Sequence, residues 1–374
     1  MDSDNQPQLI DTDVHISMKE LSDLIPFLPK VWHEQWLAKG IAFSGYYSSV
    51  GVTRKDADPP NGGGPGSDPQ YLLEHHIEKN HIDYAILTGS ANILGVSLHP
   101  DLDYGNALAT AYNDWMVETW LKHSPKYKGS MVINPSDPEA AVKEIERMAN
   151  HPEIVQVIMS SASRTLYGQR FYHPIYEAAE HYGLPIAIHP GAEGRSVSGP
   201  PTPSGYPSRY FEYHNIIPAT YMAHVNSLVT EGVFEKYPNF NFVALEGGVS
   251  WLPHLMWRMD KNYKGLRDSV PWLKKLPSEY IKKNIRFSTQ PIEEPENPQH
   301  LKQIFEMVGA GDMTMYSSDY PHWDYDNPSM VLAPLPRYMR EKIKAKNAIE
   351  LYQLNEKVRK ADQLPLSMGE MNND

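Results

Sequence analysis

Polar residues that can bind a metal ion occur at the ends of several short apolar segments. The segment IDTDVH ends in Asp13 and His15, and IAIHP places His189 before a proline. NFVALEGG carries Glu246, and MTMYSSDY carries Asp319. Two imidazoles with carboxylates suit Zn2+, Mn2+ or Fe2+, and such ions activate water or polarise a substrate oxygen. The chain has no cysteine, so any metal must be held by His, Asp or Glu.

Each of these residues also has a structural explanation when taken alone. A D-x-H pair is commonly a turn or a cap, a histidine before proline is a common polar strand end, and Asp319 before Tyr-Pro would pass as a turn residue. Alternate residues of a strand share a face, so Asp13 and His15 can point to the same side. Because such residues recur after the first, fifth, sixth and eighth apolar segments, we expect Asp13, His15, His189 and Asp319 to bind one ion.

Further residues near these segments are candidates for proton transfer or substrate contact. His322 could act on the substrate, or it could only orient the aspartate three residues before it. His224, in TYMAHVNSLV, fits either a pocket or a helix core. Arg195 and Arg209 follow the fifth segment and could bind a substrate carboxylate, although arginines in loops are commonly solvated. Trp323 could line an apolar pocket or pack on its rim.

The apolar segments alternate with helical patterns. They span 8–14, 83–89, 129–133, 154–160, 185–189, 241–246, 285–289 and 313–317. Between them, apolar residues recur every three or four positions, as at Val142, Ile145 and Met148. A strand followed by a helix, eight times over, predicts an α/β fold with a parallel sheet, and the count favours a distorted (β/α)8 TIM barrel over a doubly wound sheet. In such a barrel the carboxyl ends of the strands carry the chemistry.

No composition break marks a second domain, so we expect one domain over residues 1–374. Its long loop insertions are 41–68, which contains DPPNGGGPGSDP, and 191–213. Loops of that length in a compact fold are commonly lids or binding loops. His75 and His76 lie in EHHIEKNH, on a helix leading into the second strand, and we expect them on a solvated helix face.

The net charge and the hydropathy of the chain limit the classes of molecule that it is expected to bind. The net charge is −12, which disfavours binding to nucleic acid or an anionic membrane surface. No apolar run approaches the roughly 20 residues that span a bilayer, and the acidic start of the chain lacks the features of a secretory signal. We expect a cytoplasmic protein that acts on small molecules.

Four stretches of the chain resemble a known family. IDTDVHIS, FYHPIYEAAEHYGLPIAIHPG, GVFEKYPNFNFVALEGGVSWLP and YSSDYPHWD are similar to the amidohydrolase superfamily, in its amidohydrolase-related branch that includes 2-amino-3-carboxymuconate-6-semialdehyde decarboxylase and γ-resorcylate decarboxylase. The resemblance runs from about residue 8 to about residue 350. It implies a distorted (β/α)8 barrel, one divalent ion (Zn2+ or Mn2+) held by Asp13, His15, His189 and Asp319, and a homodimer.

The chain departs from this resemblance at two places. Many members have His-x-His at the first strand, where this chain has Asp13-x-His15, and the decarboxylases with Glu-x-His there are the closer match. Many members also have a histidine before Gly-Gly at the sixth strand, where this chain has Glu246. This residue can be a base, an additional metal ligand or a structural acceptor, and a base would need a raised pKa.

Three functions are compatible with these residues. A metal-dependent, non-oxidative decarboxylase of an aromatic or unsaturated carboxylic acid would use Asp319 or Glu246 to protonate the carbon that loses CO2. A hydrolase of a lactone, an amide or an activated C–C bond would use Asp319 to take a proton from the attacking water. A non-catalytic binding barrel would require an incomplete ligand set. We favour the decarboxylase, with the hydrolase as the alternative.

Overall fold

The computed structural model describes residues 8–41 and 51–354. Its strands are β1 (Ile10–Ile16), β2 (Tyr84–Gly89), β3 (Tyr127–Val132), β4 (Ile154–Ser160), β5 (Ile186–His189), β6 (Phe242–Ala244), β7 (Ile285–Ser288) and β8 (Thr314–Met315). Its helices are α1 (His33–Lys39), α2 (Pro69–Leu72), α3 (Ala91–Leu94), α4 (Leu102–Met116), α5 (Pro138–Met148), α6 (His173–Tyr182), α7 (Tyr210–Thr230), α8 (Val233–Lys236), α9 (Leu252–Leu266), α10 (Pro277–Asn284), α11 (Pro298–Val308), α12 (Arg337–Glu341) and α13 (Asn347–Tyr352).

The strands form one parallel eight-stranded sheet in the order β1 to β8. The sheet closes between its first and last strands through backbone hydrogen bonds. Thr12 N donates to Tyr316 O at 3.0 Å, and His15 N donates to Tyr320 O at 2.8 Å. The predicted (β/α)8 barrel is therefore confirmed, and the carboxyl ends of all its strands open at one mouth.

Strand β1 contains one additional residue relative to β2. Asp11 pairs with Ala85, but Val14 pairs with Leu87, so three steps along β1 match two steps along β2. A bulge of this kind changes the direction of the side chains that follow it. Asp11 consequently contacts a helix outside the barrel, whereas Asp13, two residues later, contacts residues at the barrel mouth.

The helix boundaries follow local capping chemistry. The carboxylate of Asp137 accepts a hydrogen bond from Ala140 N and starts α5 ahead of Pro138. Helix α6 ends at Gly183, whose φ of 64° is left-handed and favours glycine, and the chain turns there into β5. Among the described residues, no helix is long and apolar enough to cross a membrane.

The described residues of the first predicted insertion, 41–68, contact the loop after β8 and strand β1. Arg54 N donates to Pro321 O at 2.9 Å, which ties this insertion to the loop after β8. At Gly66, which has a φ of 74°, an added Cβ would lie 2.5 Å from His15 O, so only glycine allows this close approach to β1. Residues 42–50 of the insertion lie outside the described part of the chain.

The second predicted insertion, 191–213, is a loop up to residue 209 and becomes helix α7 at Tyr210. A buried carboxylate, Glu193, anchors it. Glu193 accepts hydrogen bonds from Gly191 N at 2.9 Å and from Tyr213 Oη at 2.5 Å, and also from the Ser161 hydroxyl. Because Tyr213 belongs to α7, Glu193 connects the loop to the start of that helix.

Candidate metal centre and active site

Four buried side chains meet at the barrel mouth. One ligand atom from each of Asp13, His15, His189 and Asp319 lies within 4.8 Å of the others. Asp13 and His15 come from β1, His189 ends β5, and Asp319 follows β8. The four residues that the sequence predicted to share one ion are thus brought together by three separate strands.

Backbone carbonyls orient both imidazoles. His15 Nδ1–H donates to Gly89 O at 3.0 Å, and His189 Nδ1–H donates to Pro190 O at 2.8 Å. This arrangement leaves the Nε2 lone pair of each ring available to a metal ion. Both Nε2 atoms and Asp13 Oδ2 are buried and lack a hydrogen-bond partner within the described residues.

The ring nitrogens and the carboxylates are close without being hydrogen-bonded. His15 Nε2 lies 2.9 Å from Asp319 Oδ1, and His189 Nε2 lies 3.4 Å from Asp13 Oδ2, but the angles do not satisfy a hydrogen bond. Buried polar atoms that converge without bonding one another are costly unless something else satisfies them. Two imidazoles and two carboxylates in this arrangement fit a divalent ion such as Zn2+ or Mn2+.

The electrostatics of the cluster favour positive charge. Burial lowers the pKa of His189, but the carboxylates of Asp13 and Glu246 raise it well above its ordinary value. Burial raises the pKa of Asp13, and His189 and His15 reverse this shift, so that the pKa lies below its ordinary value. A divalent cation in contact with the same groups would neutralise this negative potential.

Asp319 and Glu246 both have left-handed backbone conformations, with φ of 58° and 56°. Such conformations cost about 1 kcal/mol or more for a residue with a Cβ, and surrounding contacts must hold them. Asp319 N donates to Asp13 O at 3.2 Å, and Glu246 N donates to Ser288 Oγ at 2.8 Å. The backbone thereby directs both carboxylates toward the cluster.

The carboxylate of Glu246 reaches the cluster through His189. Glu246 Oε2 lies 2.8 Å from His189 Nε2. Burial raises the pKa of Glu246, but His189 more than offsets this and the pKa lies below its ordinary value. The three roles predicted for Glu246, as base, ligand or structural acceptor, stay predictions.

His322 connects Asp319 to the solvent side of the site. Its Nδ1–H donates to Asp319 Oδ1 at 2.7 Å, and 30% of its side chain is exposed. Burial lowers the pKa of His322, but the carboxylate of Asp319 raises it to about 9. Burial also raises the pKa of Asp319, and His322 only partly offsets this. The pair can therefore both carry a proton and orient the carboxylate.

A further histidine, His214 on α7, reaches the mouth and was not anticipated from the sequence. Its Nε2 lies 3.2 Å from Asp324 Oδ2 and 3.7 Å from Glu246 Oε1. Burial lowers the pKa of His214, but Asp324 and Glu246 raise it to about 10. Its ring centroid is 5.8 Å from that of Trp323, which is 53% exposed on the rim. The only sequence signal was its place just after the 191–213 insertion.

The remaining predicted substrate contacts are positioned differently. His224 is buried, with Nε2–H donating to Ser161 O at 2.8 Å and Nδ1 accepting from Tyr167 N at 3.3 Å. Burial lowers its pKa to about 4. Both ring nitrogens of His224 are therefore engaged by the backbone, which leaves neither to a substrate. Arg195 is half-buried in the loop, and Arg209 is exposed just before α7; their contact with a substrate stays a prediction.

The prediction of a solvated helix face is wrong for His76. This residue is buried, and its Nε2–H donates to Asp11 Oδ2 at 2.8 Å. Asp11 Oδ1 accepts from Ser318 N at 2.9 Å, and the His76 ring stacks on Tyr320 with centroids 4.4 Å apart. Because β1 points Asp11 outward, the helical segment Leu73–Glu78 packs on it. Asp11 and His76 together contact Ser318 and Tyr320, the residues on either side of Asp319.

Comparison with known proteins identifies related sequences. The family model described as amidohydrolase matches residues 10–354. A γ-resorcylate decarboxylase of Polaromonas sp. strain JS666 is 24% identical over 296 residues, covering 75% of this chain and 86% of the relative. The γ-resorcylate decarboxylase of Rhizobium sp. strain MTP-10005 is 25% identical over 281 residues, covering 71% and 82%.

Solved structures show the same fold at low identity. A dihydroxybenzoic acid decarboxylase from Polaromonas sp. JS666, with bound manganese and the inhibitor 2-nitroresorcinol, has a TM-score of 0.66 and 20% identity, covering 95% of this chain and all of that one. A 5-carboxyvanillate decarboxylase from Novosphingobium aromaticivorans, complexed with manganese and 4-hydroxy-3-methoxy-5-nitrobenzoic acid, has a TM-score of 0.70 and 20% identity, covering 94% and 97%.

Proposed function

The chain belongs to the amidohydrolase family, and from that premise we propose that it is a metal-dependent, non-oxidative decarboxylase of an aromatic or unsaturated carboxylic acid. The observation that carries this proposal is the buried cluster of Asp13, His15, His189 and Asp319, in which ligand atoms converge without bonding one another. The decarboxylases among its relatives support the choice of reaction over hydrolysis. The carboxylate-x-His start of β1 supports it as well.

Asp13, His15, His189 and Asp319 would hold one ion, Mn2+ or Zn2+. When bound, a divalent ion supplies Lewis-acid polarisation of the substrate's oxygens. The residues around the cluster orient its ligands. Thr88 Oγ1 donates to Asp13 Oδ1 at 2.7 Å, and two backbone carbonyls orient the imidazoles. Such contacts set the ligand geometry and commonly change metal affinity when removed.

Asp319 is the group that we assign to proton transfer. In decarboxylation the C–C bond to the carboxylate breaks, its electron pair stays on the substrate carbon, and that carbon takes a proton while CO2 leaves. Burial raises the pKa of Asp319, so its carboxyl can carry this proton. Each turnover consumes one proton from solvent, and the partly exposed His322, bonded to Asp319, provides a route for it.

The proposal is tested by product analysis. Purified protein supplied with Mn2+ or Zn2+ is incubated with a panel of aromatic and unsaturated carboxylic acids, and released CO2 is measured. We expect CO2 together with the protonated product from at least one acid. Addition of water to a lactone or amide panel, with no CO2 from any acid, would replace the decarboxylase with the hydrolase.

One variant separates the roles of Glu246. If Glu246 is a base, Glu246→Gln lowers turnover about 100- to 10,000-fold while metal content stays unchanged. Loss of metal from this variant would make Glu246 a ligand. Unchanged turnover and metal content would leave it as a structural acceptor.

We also propose that the protein is a cytoplasmic homodimer. The resemblance to the decarboxylase branch supports the dimer, and large exposed apolar side chains, such as Phe211 and Trp257, are available for a contact. The complete lack of cysteine is compatible with a reducing compartment. Light scattering coupled to size-exclusion chromatography tests the dimer, and a monomer at micromolar concentration would contradict it.

A further inference from the structure

The first insertion pairs with the part of the loop after β8 that carries His322. Arg54 N donates to the carbonyl oxygen of the residue before His322 at 2.9 Å, and the N–H of the residue after it donates to Val52 O at 3.2 Å. Between these two hydrogen bonds, Thr53 lies opposite His322 in an antiparallel bridge. Residues 52–54 therefore form a strap that binds the chain on both sides of this histidine.

The side chain of Arg54 also joins the strap to the loop after β8. Its Nε donates to Asp56 Oδ1 at 2.9 Å and its Nη2 donates to Asp56 Oδ2 at 2.7 Å, and this bidentate pair fixes the plane of the guanidinium. The guanidinium carbon lies 4.4 Å from the centre of the Tyr325 ring, which belongs to that loop. Because an aromatic face attracts a cation, this contact adds to the backbone pairing of the strap.

Asp56 connects the same segment to the helices that precede β2. Its backbone carbonyl accepts a hydrogen bond from Tyr71 Oη at 2.9 Å. Tyr71 stacks on His75 with ring centroids 4.9 Å apart, and His75 Nδ1 is hydrogen-bonded to Tyr320 Oη at 3.0 Å. Because Tyr320 directly follows Asp319, this chain of contacts returns to the loop after β8.

The orientation of the His322 ring depends on the backbone that the strap holds. Its Nδ1–H donates to Asp319 Oδ1 at 2.7 Å, and its ring centroid lies 4.4 Å from that of His15. A hydrogen bond tolerates little displacement, and misplacing a reacting group by about 1 Å can lower a rate about 100-fold. The proton route to Asp319 is therefore positioned by residues that lie outside the four-residue cluster.

We propose that Arg54 is a positioning residue for proton delivery, because it holds the strap on the loop after β8 and thereby keeps the His322 ring against Asp319. Asp56 and the Tyr325 ring occupy its Nε, its Nη2 and one face of the guanidinium. Arg54 is therefore suited to holding the loop and not to binding a substrate carboxylate. The inference rests on the proposed function and assigns a role in it to the first insertion.

The test measures CO2 release by Arg54→Gln and Asp56→Ala, which break the same pair from opposite sides, with Mn2+ supplied. We expect kcat to fall about 10- to 100-fold in each variant, because His322 no longer meets Asp319 in most molecules. KM should change less than about twofold, because substrate binding is not altered. Metal content should stay unchanged. Arg54→Lys, which keeps a cation near Tyr325, should recover part of the loss.

A double-mutant cycle separates positioning of His322 from a general loss of structure. In a His322→Gln background, Arg54→Gln should cause no further loss of turnover, because the strap acts through this histidine. The matched control is Arg337→Gln on α12, which removes an exposed arginine–carboxylate pair with Glu341 and should leave kcat unchanged.

Three results would overturn the inference while the decarboxylase stands. They are an unchanged kcat in Arg54→Gln and Asp56→Ala, an increase in KM alone, and an equal loss from Arg54→Gln with and without His322. An increase in KM alone would make Arg54 a substrate contact. If one of the two variants fails to fold, the other decides. If the wild type releases no CO2 from any acid, the proposed function fails, and the inference fails with it.

Discussion

Strand β1 supplies an aspartate to an aspartate–histidine pair on each side of the barrel wall, and the two pairs differ in how their polar atoms are satisfied. Outside the barrel, Asp11 accepts from His76 and from the backbone N–H of Ser318, so both of its oxygens are used. Inside, Asp13 Oδ2 and His15 Nε2 are equally buried but have no hydrogen-bond partner within the part of the chain that the structure describes. Burial and residue type are the same on both sides.

This difference separates a structural pair from a functional one. Asp11 and His76 complete each other's hydrogen bonds and hold the β8–β1 closure, so they need no ligand. Asp13 and His15 are oriented by Thr88 Oγ1 and Gly89 O, but their remaining atoms face a shared space. A buried histidine or aspartate is therefore informative about function only after its hydrogen bonds have been counted.

The largest expected effect is a loss of turnover when the cluster inside the barrel mouth is altered. Asp319→Asn removes a carboxyl that carries the proton but preserves its size, and we expect turnover to fall by about 1,000-fold or more. The far-ultraviolet circular dichroism spectrum should be unchanged. Release of CO2 from the preferred acid measures the loss, and near-wild-type turnover would exclude Asp319 as the proton carrier.

The next largest effect is expected when the outer pair of Asp11 and His76 is altered, which should change stability and not activity. Asp11→Ala leaves the buried Ser318 N–H without an acceptor and leaves His76 Nε2–H only the longer contact to Ser318 Oγ at 3.3 Å, so we expect the free energy of unfolding to fall by about 3 kcal/mol. Asp11→Asn, which keeps one acceptor oxygen, should lose less. Urea unfolding measures both variants. If the Asp11→Ala protein kept its stability but lost its metal, the outer pair would be the functional one and the inner pair the structural one.

A smaller effect concerns His224, a buried histidine whose two ring nitrogens are both engaged by the backbone. Its folded-state pKa of about 4 lies below the ordinary value of 6.5, so between these values the unfolded chain binds more protons than the folded one. The folded state should therefore lose up to about 3 kcal/mol as the pH falls from 6.5 to 4.

His224→Gln should weaken this dependence on pH, because glutamine can still donate to Ser161 O and does not titrate. Urea unfolding of both proteins at several pH values between 4 and 7 measures the difference. Parallel stability curves for the wild type and the variant would mean that His224 does not titrate in this range.

The strand-borne part of the site was predictable from the sequence because a parallel barrel leaves few choices for it. Once eight apolar segments alternate with helices, the residues at their carboxyl ends must meet at one mouth, and Asp13, His15, His189 and Asp319 do so. Strand β8 was predicted too long and spans only Thr314–Met315, because the next N–H groups leave the sheet: Tyr316 N donates to Ile343 O, and Ser317 N and Ser318 N donate to side chains.

The rest of the site depends on contacts that no local pattern encodes. His214 reaches the mouth because the loop before α7 is anchored by Glu193, and the sequence does not reveal where a long loop places the next helix. The burial of His76 depends on the bulge in β1, which directs Asp11 outward. A bulge adds one residue without changing the apolar pattern, so it could not be read from periodicity.

The central claim is that the inner cluster holds one divalent ion, and elemental analysis by mass spectrometry of wild-type protein and His189→Ala tests it most directly. We predict about one equivalent of manganese, zinc or iron per chain in the wild type and loss of most of it in the variant. A wild-type protein that carries no metal and takes up none when it is added would contradict the account. Full occupancy in His189→Ala would do the same.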